Sequence, residues 1–131
     1  MAPVPLSTPP DSLTVSAPAF RTFLRIADAW GLNNRERMTL LGEPPKATFY
    51  RWKQSRQLAL PKDTLERLSY IFGIYKALQV LLPQSQAADN WVKKPNSAPL
   101  FGGHSALDRM LSGQVSDLFL VRQYLDAQRG G

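Results

Sequence analysis

The sequence predicts an all-α protein. Apolar residues recur at spacings of three and four along several stretches, no stretch of useful length alternates apolar with polar, and glycine or proline interrupts the periodic runs. At 131 residues and 44% hydrophobic content, the chain can fill one modest core, or two small ones that share an interface.

Residues 1–18 are rich in proline, serine and threonine and read as a disordered or loosely packed leader. A first helix is predicted from Ala19 to Trp30, where Phe20, Phe23, Leu24, Ala27 and Trp30 share one stripe and Gly31 ends the run. Asn33 and Asn34 suit the start of a second helix to about Leu41, with Met38, Leu40 and Leu41 on its apolar side. Gly42-Glu43-Pro44 forms a turn, and Pro45 suits the first position of a third helix because its missing N–H would be unpaired there anyway. In that helix, Lys46 to Gln54, Phe49 and Trp52 face inward and leave Lys46, Thr48, Arg51 and Lys53 outward.

Leu58-Ala59-Leu60-Pro61 leads into the next helix, with Asp63 as a favourable acid in its first turn. Leu65, Leu68, Ile71, Phe72, Tyr75 and Leu78 carry its pattern until Pro83. Gly73 lies inside, and either permits close helix approach or splits the segment in two. Residues 84–90 are polar, Asn90-Trp91-Val92 is a short anchor, and residues 93–103 read as loop. Ser105 can cap a helix over residues 106–111 that Gly113 ends. From Val115 a last helix follows, with Leu118, Val121 and Leu125 on one stripe and Phe119, Arg122 and Asp126 beside it.

Composition excludes several classes of function. There is no cysteine and a single histidine, His104, so disulfides, thiolate metal sites and His-rich metal centres are ruled out, and no cofactor is expected. No carboxylates pair in an apolar setting; Asp108 and Asp126 lie near Arg109, Arg122 and Arg129 and read as ion pairs, so no enzyme is expected. Residues 1–10 lack the basic and apolar regions of a signal peptide. Leu65 to Leu82, the most apolar stretch, is broken by Glu66, Arg67, Gly73 and Lys76, so a membrane span is not expected and the cytoplasm is.

The charge is informative in its distribution. The chain carries 16 basic and 10 acidic residues, and between Lys46 and Lys62 all the charges, on Lys46, Arg51, Lys53, Arg56 and Lys62, are positive. A helix, a short glycine-containing turn and a second helix with a basic outer face is the layout of a helix-turn-helix. In that layout Lys46, Thr48 and Arg51 approach base edges, Lys53 and Arg56 neutralise phosphates, and Tyr50 joins the DNA-facing set. A purely structural hairpin has the same pattern.

Trp30-Gly31-Leu32, Leu40-Leu41-Gly42 and Tyr50-Arg51-Trp52 resemble the helix-turn-helix of the Xre/MbcA/ParS antitoxins. Leu65-Glu66-Arg67-Leu68 and Ile74-Tyr75-Lys76-Ala77-Leu78 resemble that family's middle segment. Asn90-Trp91-Val92, Pro95-Asn96, Phe101-Gly102-Gly103, Leu107-Asp108, Leu111-Ser112-Gly113 and the ending from Val121 to Gly131 look like its toxin-binding domain. Ala106 stands where proline commonly follows the corner serine, and Glu43-Pro44-Pro45 replaces small polar turn residues.

The resemblance implies the antitoxin of a type II toxin–antitoxin pair that inhibits a RES-domain, NAD-degrading toxin and binds its own operator DNA. After the leader over residues 1–18, it implies a helix-turn-helix over 19–60, central dimerisation helices over 61–83 and a toxin-binding domain over 84–131. It assigns Trp91, Phe101, Leu118, Arg122, Tyr124, Arg129, Gly130 and Gly131 to the toxin, and Leu68, Ile71, Phe72 and Tyr75 to a homodimer interface. Gly130 and Gly131 have no side chains and can enter a narrow cleft, although a glycine pair at a terminus also suits a frayed end. A helix-turn-helix regulator without a toxin is the alternative; it accounts for the basic run but not for the segment from Trp91 to Gly131.

Overall fold

One helix organises the molecule, and its sequence explains why. Leu68, Ile71, Ile74, Ala77 and Leu78 recur at helical spacing and are all buried, so this helix has apolar cover on more than one side. The computed structural model describes residues 10–130. In order they form α1 (Pro10–Ala29), α2 (Asn34–Leu40), α3 (Lys46–Gln54), the organising helix α4 (Lys62–Leu81), α5 (Ser85–Asn90), a 3₁₀ turn (Trp91–Lys93), α6 (Ala106–Met110) and α7 (Val115–Gln128). Among the described residues there is no strand, only an isolated antiparallel bridge between Pro95 and Ser105, and the all-α prediction holds. Also among them, no helix is long and apolar enough to cross a membrane.

α4 packs most extensively against α7, and against α1 on another side. Phe20, Phe23, Ala27 and Trp30 of α1 and Leu118, Val121 and Leu125 of α7 lie with the α4 residues in one continuous core. Gly73 does not split α4, which is a single helix of 20 residues.

The helix ends follow local chemistry. Asn33 and Ser105 each accept a hydrogen bond from the backbone three residues on, at Glu36 (2.8 Å) and Asp108 (3.0 Å), and each of those acids bonds back to the cap's own N–H. After α1, Leu32 N–H bonds Ala27 O and Gly31 N–H bonds Asp28 O; after α2, Glu43 N–H bonds Met38 O and Gly42 N–H bonds Thr39 O. Both are double-bonded C-terminal caps, and each needs a left-handed residue, supplied by Gly31 (φ 66°) and Gly42 (φ 94°).

The leader reading needs correction. Helix α1 begins at Pro10 and carries Pro18 inside it; residues 1–9 lie outside the described residues. The cause is tertiary. Ser16 and Ala17 are buried, and the Ser16 hydroxyl accepts a hydrogen bond from Leu60 N–H at 2.9 Å, so this turn of α1 is held by a segment 44 residues away.

Long side chains tie the ends of the molecule together. Arg37 bonds Leu32 O (2.9 Å) and Asp28 (2.7 Å), fixing α2 on α1. Lys93 reaches Gly31 O at 3.0 Å, and Arg67 of α4 reaches Gly113 O at 3.1 Å.

Candidate functional site

The roll of α3 is set by two aromatics. Phe49 and Trp52 are buried against Phe20, with edge-on ring separations of 6.2 and 5.9 Å. The opposite side of α3 therefore faces solvent, and Ala47, Tyr50, Arg51 and Gln54 lie along it with Lys46 and Lys53 on one flank. Lys53 Nζ stands 5.3 Å and Lys46 Nζ 6.0 Å from the Tyr50 ring centroid, so the phenol is bracketed by two cations. Asn34 of α2 donates to the Tyr50 hydroxyl at 3.3 Å.

Of the residues assigned to DNA from sequence, the structure thus brings Lys46, Tyr50, Arg51 and Lys53 onto one exposed surface, with Arg56 exposed just beyond the helix. Thr48 is half-buried and stands about 200° round the helix from Lys46, on the other flank. The sequence reading missed the contribution of α2. Asn34, Arg35 and Thr39 line a groove of about 500 Å³ together with Lys46 and Tyr50. Arg35, on the outer side of an amphipathic helix beside the turn, was the available signal.

The C-terminal half carries a second surface. Trp91 and Tyr124 stack at 6.4 Å, and Phe101 meets both edge-on, at 5.9 and 5.2 Å. Trp91 and Tyr124 are half-exposed. They line an apolar cleft of about 250 Å³ with Leu81, Leu82 and Gln128, of which the two leucines were missed because they fall at the end of α4. Phe101 is 4% and Leu118 0% exposed, which corrects their assignment as toxin contacts: both are core residues that support the surface from beneath.

Arg122 is partly exposed on α7; its Nε lies 3.6 Å from Asp126, and it donates to Ser69 O of α4 at 3.3 Å. Arg129 stands 4.0 Å from the other oxygen of Asp126. Gly130, at φ 94°, donates to Ala127 O at 3.2 Å and closes α7, so it has a capping role whatever else it does. Gly131 lies outside the described residues. Arg109 pairs with Asp117 at 3.1 Å rather than with a carboxylate of its own helix.

The dimer assignment is corrected in part. Leu68 and Ile71 are 1% and 0% exposed and are spent on the chain's own core. Phe72 and Tyr75 are half-buried, Tyr75 lying 6.3 Å from the Trp30 ring. Tyr70 of α4 and Phe119 of α7 meet edge-on at 5.8 Å, with Phe119 44% exposed.

A basic helix presented by a helix-turn-helix, and a C-terminal half that carries an aromatic cleft on one flank of α7 and exposed arginines on the other, define a two-headed helix-turn-helix protein. Comparison with known families gives the class its name. Residues 9–73 match the profile of the antitoxin Xre-like helix-turn-helix domain, and residues 77–131 that of the antitoxin Xre/MbcA/ParS C-terminal toxin-binding domain. The chain belongs to the Xre/MbcA/ParS antitoxin family, as its sequence motifs indicate. A relative in Sinorhizobium fredii (strain NBRC 101917 / NGR234), the uncharacterized protein y4oB, is 49% identical over 123 residues, which cover 93% of each chain. The two profiles meet between residues 73 and 77, within α4, so the organising helix is shared by both halves.

Proposed function

We propose that this antitoxin neutralises a RES-type, NAD-degrading toxin with its C-terminal half and binds operator DNA with α3, in the cytoplasm. The observation that carries the reading is the match of residues 77–131 to a toxin-binding domain, on the segment whose Trp91, Tyr124, Arg122 and Arg129 reach solvent. Aromatic and arginine side chains are the types that anchor protein interfaces. The second head suits DNA on the chemistry of α3: Lys46, Arg51 and Lys53 are exposed, and α3 itself bears no acid.

The homodimer belongs to the same reading. Two copies would offer two recognition helices to two half-sites, and Phe72 and Tyr75, not Leu68 and Ile71, are the residues left for the contact. Light scattering on the toxin-free protein at tens of micromolar is expected to give twice the chain mass; a monomer removes this part.

The test of the whole is copurification from the native operon followed by NAD measurement. A RES-type partner that consumes NAD alone and is silent in the complex is the expected result. Recovery of DNA-binding activity with no protein partner would establish instead a regulator without a toxin.

A further inference from the structure

Gly73 sits in the middle of α4, where glycine is the least favourable residue after proline, and its φ is not left-handed. Backbone conformation therefore does not require it. Space does. A Cβ at this position would lie 2.7 Å from Cδ and Cζ of Arg122, and nearer still to its Nε. The Arg122 stem crosses α4 directly over the missing side chain. Its guanidinium then donates to Ser69 O at 3.3 Å and lies 3.6 Å from Asp126.

This placement leaves part of the guanidinium unused. Among the described residues, one of its two terminal nitrogens meets no protein acceptor. One helical turn back on α7 stands the exposed Phe119, braced by Tyr70. In the other direction Asp126, Arg129 and Gly130 join Arg122 in lining a polar cleft of about 400 Å³. Among the described residues, this cleft holds two arginines and one aspartate.

We propose that Gly73 is a positioning residue for the partner interface: it lets Arg122 lie across α4 and present its outer edge, beside Phe119, to a carboxylate on the bound toxin. A guanidinium with an open terminal nitrogen donates charge-assisted hydrogen bonds to a carboxylate, which favours an acidic partner group over a basic one. The inference rests on the toxin reading above and deepens it.

The test is a double-mutant cycle on the full chain with Gly73→Ala, Arg122→Ala and the pair. Arg122 is a flexible side chain, so alanine at position 73 displaces it and leaves the fold intact. In urea unfolding, Gly73→Ala is expected to raise the midpoint more in the Arg122→Ala background than in the wild type, since alanine favours helix and only Arg122 opposes it. Equal effects in the two backgrounds overturn the placement. In titrations with the toxin encoded in the same operon, each single change is expected to weaken binding about tenfold and the pair no further, and the salt dependence of affinity should flatten in all three. Full affinity in Gly73→Ala, or losses that multiply in the pair, overturns the positioning role. A glycine needed only for folding would lose stability and binding together, whereas here binding falls while stability does not. A wild-type chain that captures no toxin overturns the partner half along with the toxin reading, and the unfolding cycle still decides whether Gly73 seats Arg122.

Discussion

Glu43 adopts φ 61°, the left-handed region in which an ordinary side chain is strained, directly after Gly42 at 94°. The turn between α2 and α3 is thus two left-handed residues in a row, held by the paired cap bonds from Glu43 to Met38 and from Gly42 to Thr39. A Cβ at position 42 would also lie 2.9 Å from the Asp63 carboxylate and 3.0 Å from Arg67 Nε, so these two side chains would have to shift as well. Gly42→Ala is expected to cost about 1–3 kcal/mol, read as a lower urea midpoint with unchanged slope. A variant as stable as the wild type would mean that the turn relaxes without penalty. Part of this was legible in the sequence. Gly42 was placed in the turn, because glycine punctuates helices. Glu43 was not foreseen as left-handed, because nothing in a glutamate announces it; the conformation is imposed by the bonds on either side. Arg122 over Gly73 was likewise open, since a glycine in a helical run has two readings and only the partner across the groove decides.

At the scale of elements, periodicity reported correctly which residues share a face but not what covers that face. The stripe of Leu118, Val121 and Leu125 is real, and all three are buried by the chain's own α4 side of the core. Leu118 and Phe101 were assigned to the toxin, and Leu68 and Ile71 to a second copy, because an apolar stripe looks the same whether an internal helix or a partner will cover it. The start of α1 was missed for the related reason that Ser16 is held by Leu60, far away in sequence. The burial of Leu118 makes a sharp prediction. Leu118→Asp places a carboxylate in an apolar site with no partner, and should cost more than about 3 kcal/mol and lose helical circular dichroism at lower temperature, with any loss of toxin binding following from unfolding. A folded, stable Leu118→Asp protein that merely fails to bind would return Leu118 to the interface. For α3 the exposed cations set the expectation. Replacing Lys46, Arg51 and Lys53 by alanine should abolish gel-shift binding to the operator, and Lys53→Ala alone should reduce the slope of log affinity against log salt by about one. Undiminished affinity in the triple variant would leave the helix-turn-helix a structural hairpin.

Across the whole molecule, the two heads share α4 and are pinned to each other at its flanks, by Arg67 to Gly113 and by Lys93 to Gly31. The residues offered for docking therefore stand on the shared core, while Arg129 and Gly130 follow the last residue of α7. That division predicts that holding the toxin and silencing it can be separated. Arg129 and Gly130 are exposed and follow the last α7 residue, Gln128, so removing residues 129–131 takes away the helix cap and one cation but none of the buried core. Trp91, Tyr124, Phe119 and Arg122 stay in place, and most of the affinity for the toxin should stay with them. If the tail obstructs the NAD pocket of a RES-type toxin, the truncated antitoxin will copurify with a toxin that now consumes NAD. Arg129→Glu should act in the same direction, reversing the charge offered to a pocket built for a dinucleotide, and more weakly if backbone atoms do the blocking. The decisive measurement is NAD loss by purified complexes at matched occupancy. A truncated antitoxin that binds and still silences the toxin would place inhibition on the docking surface itself, through the shape in which it holds the enzyme.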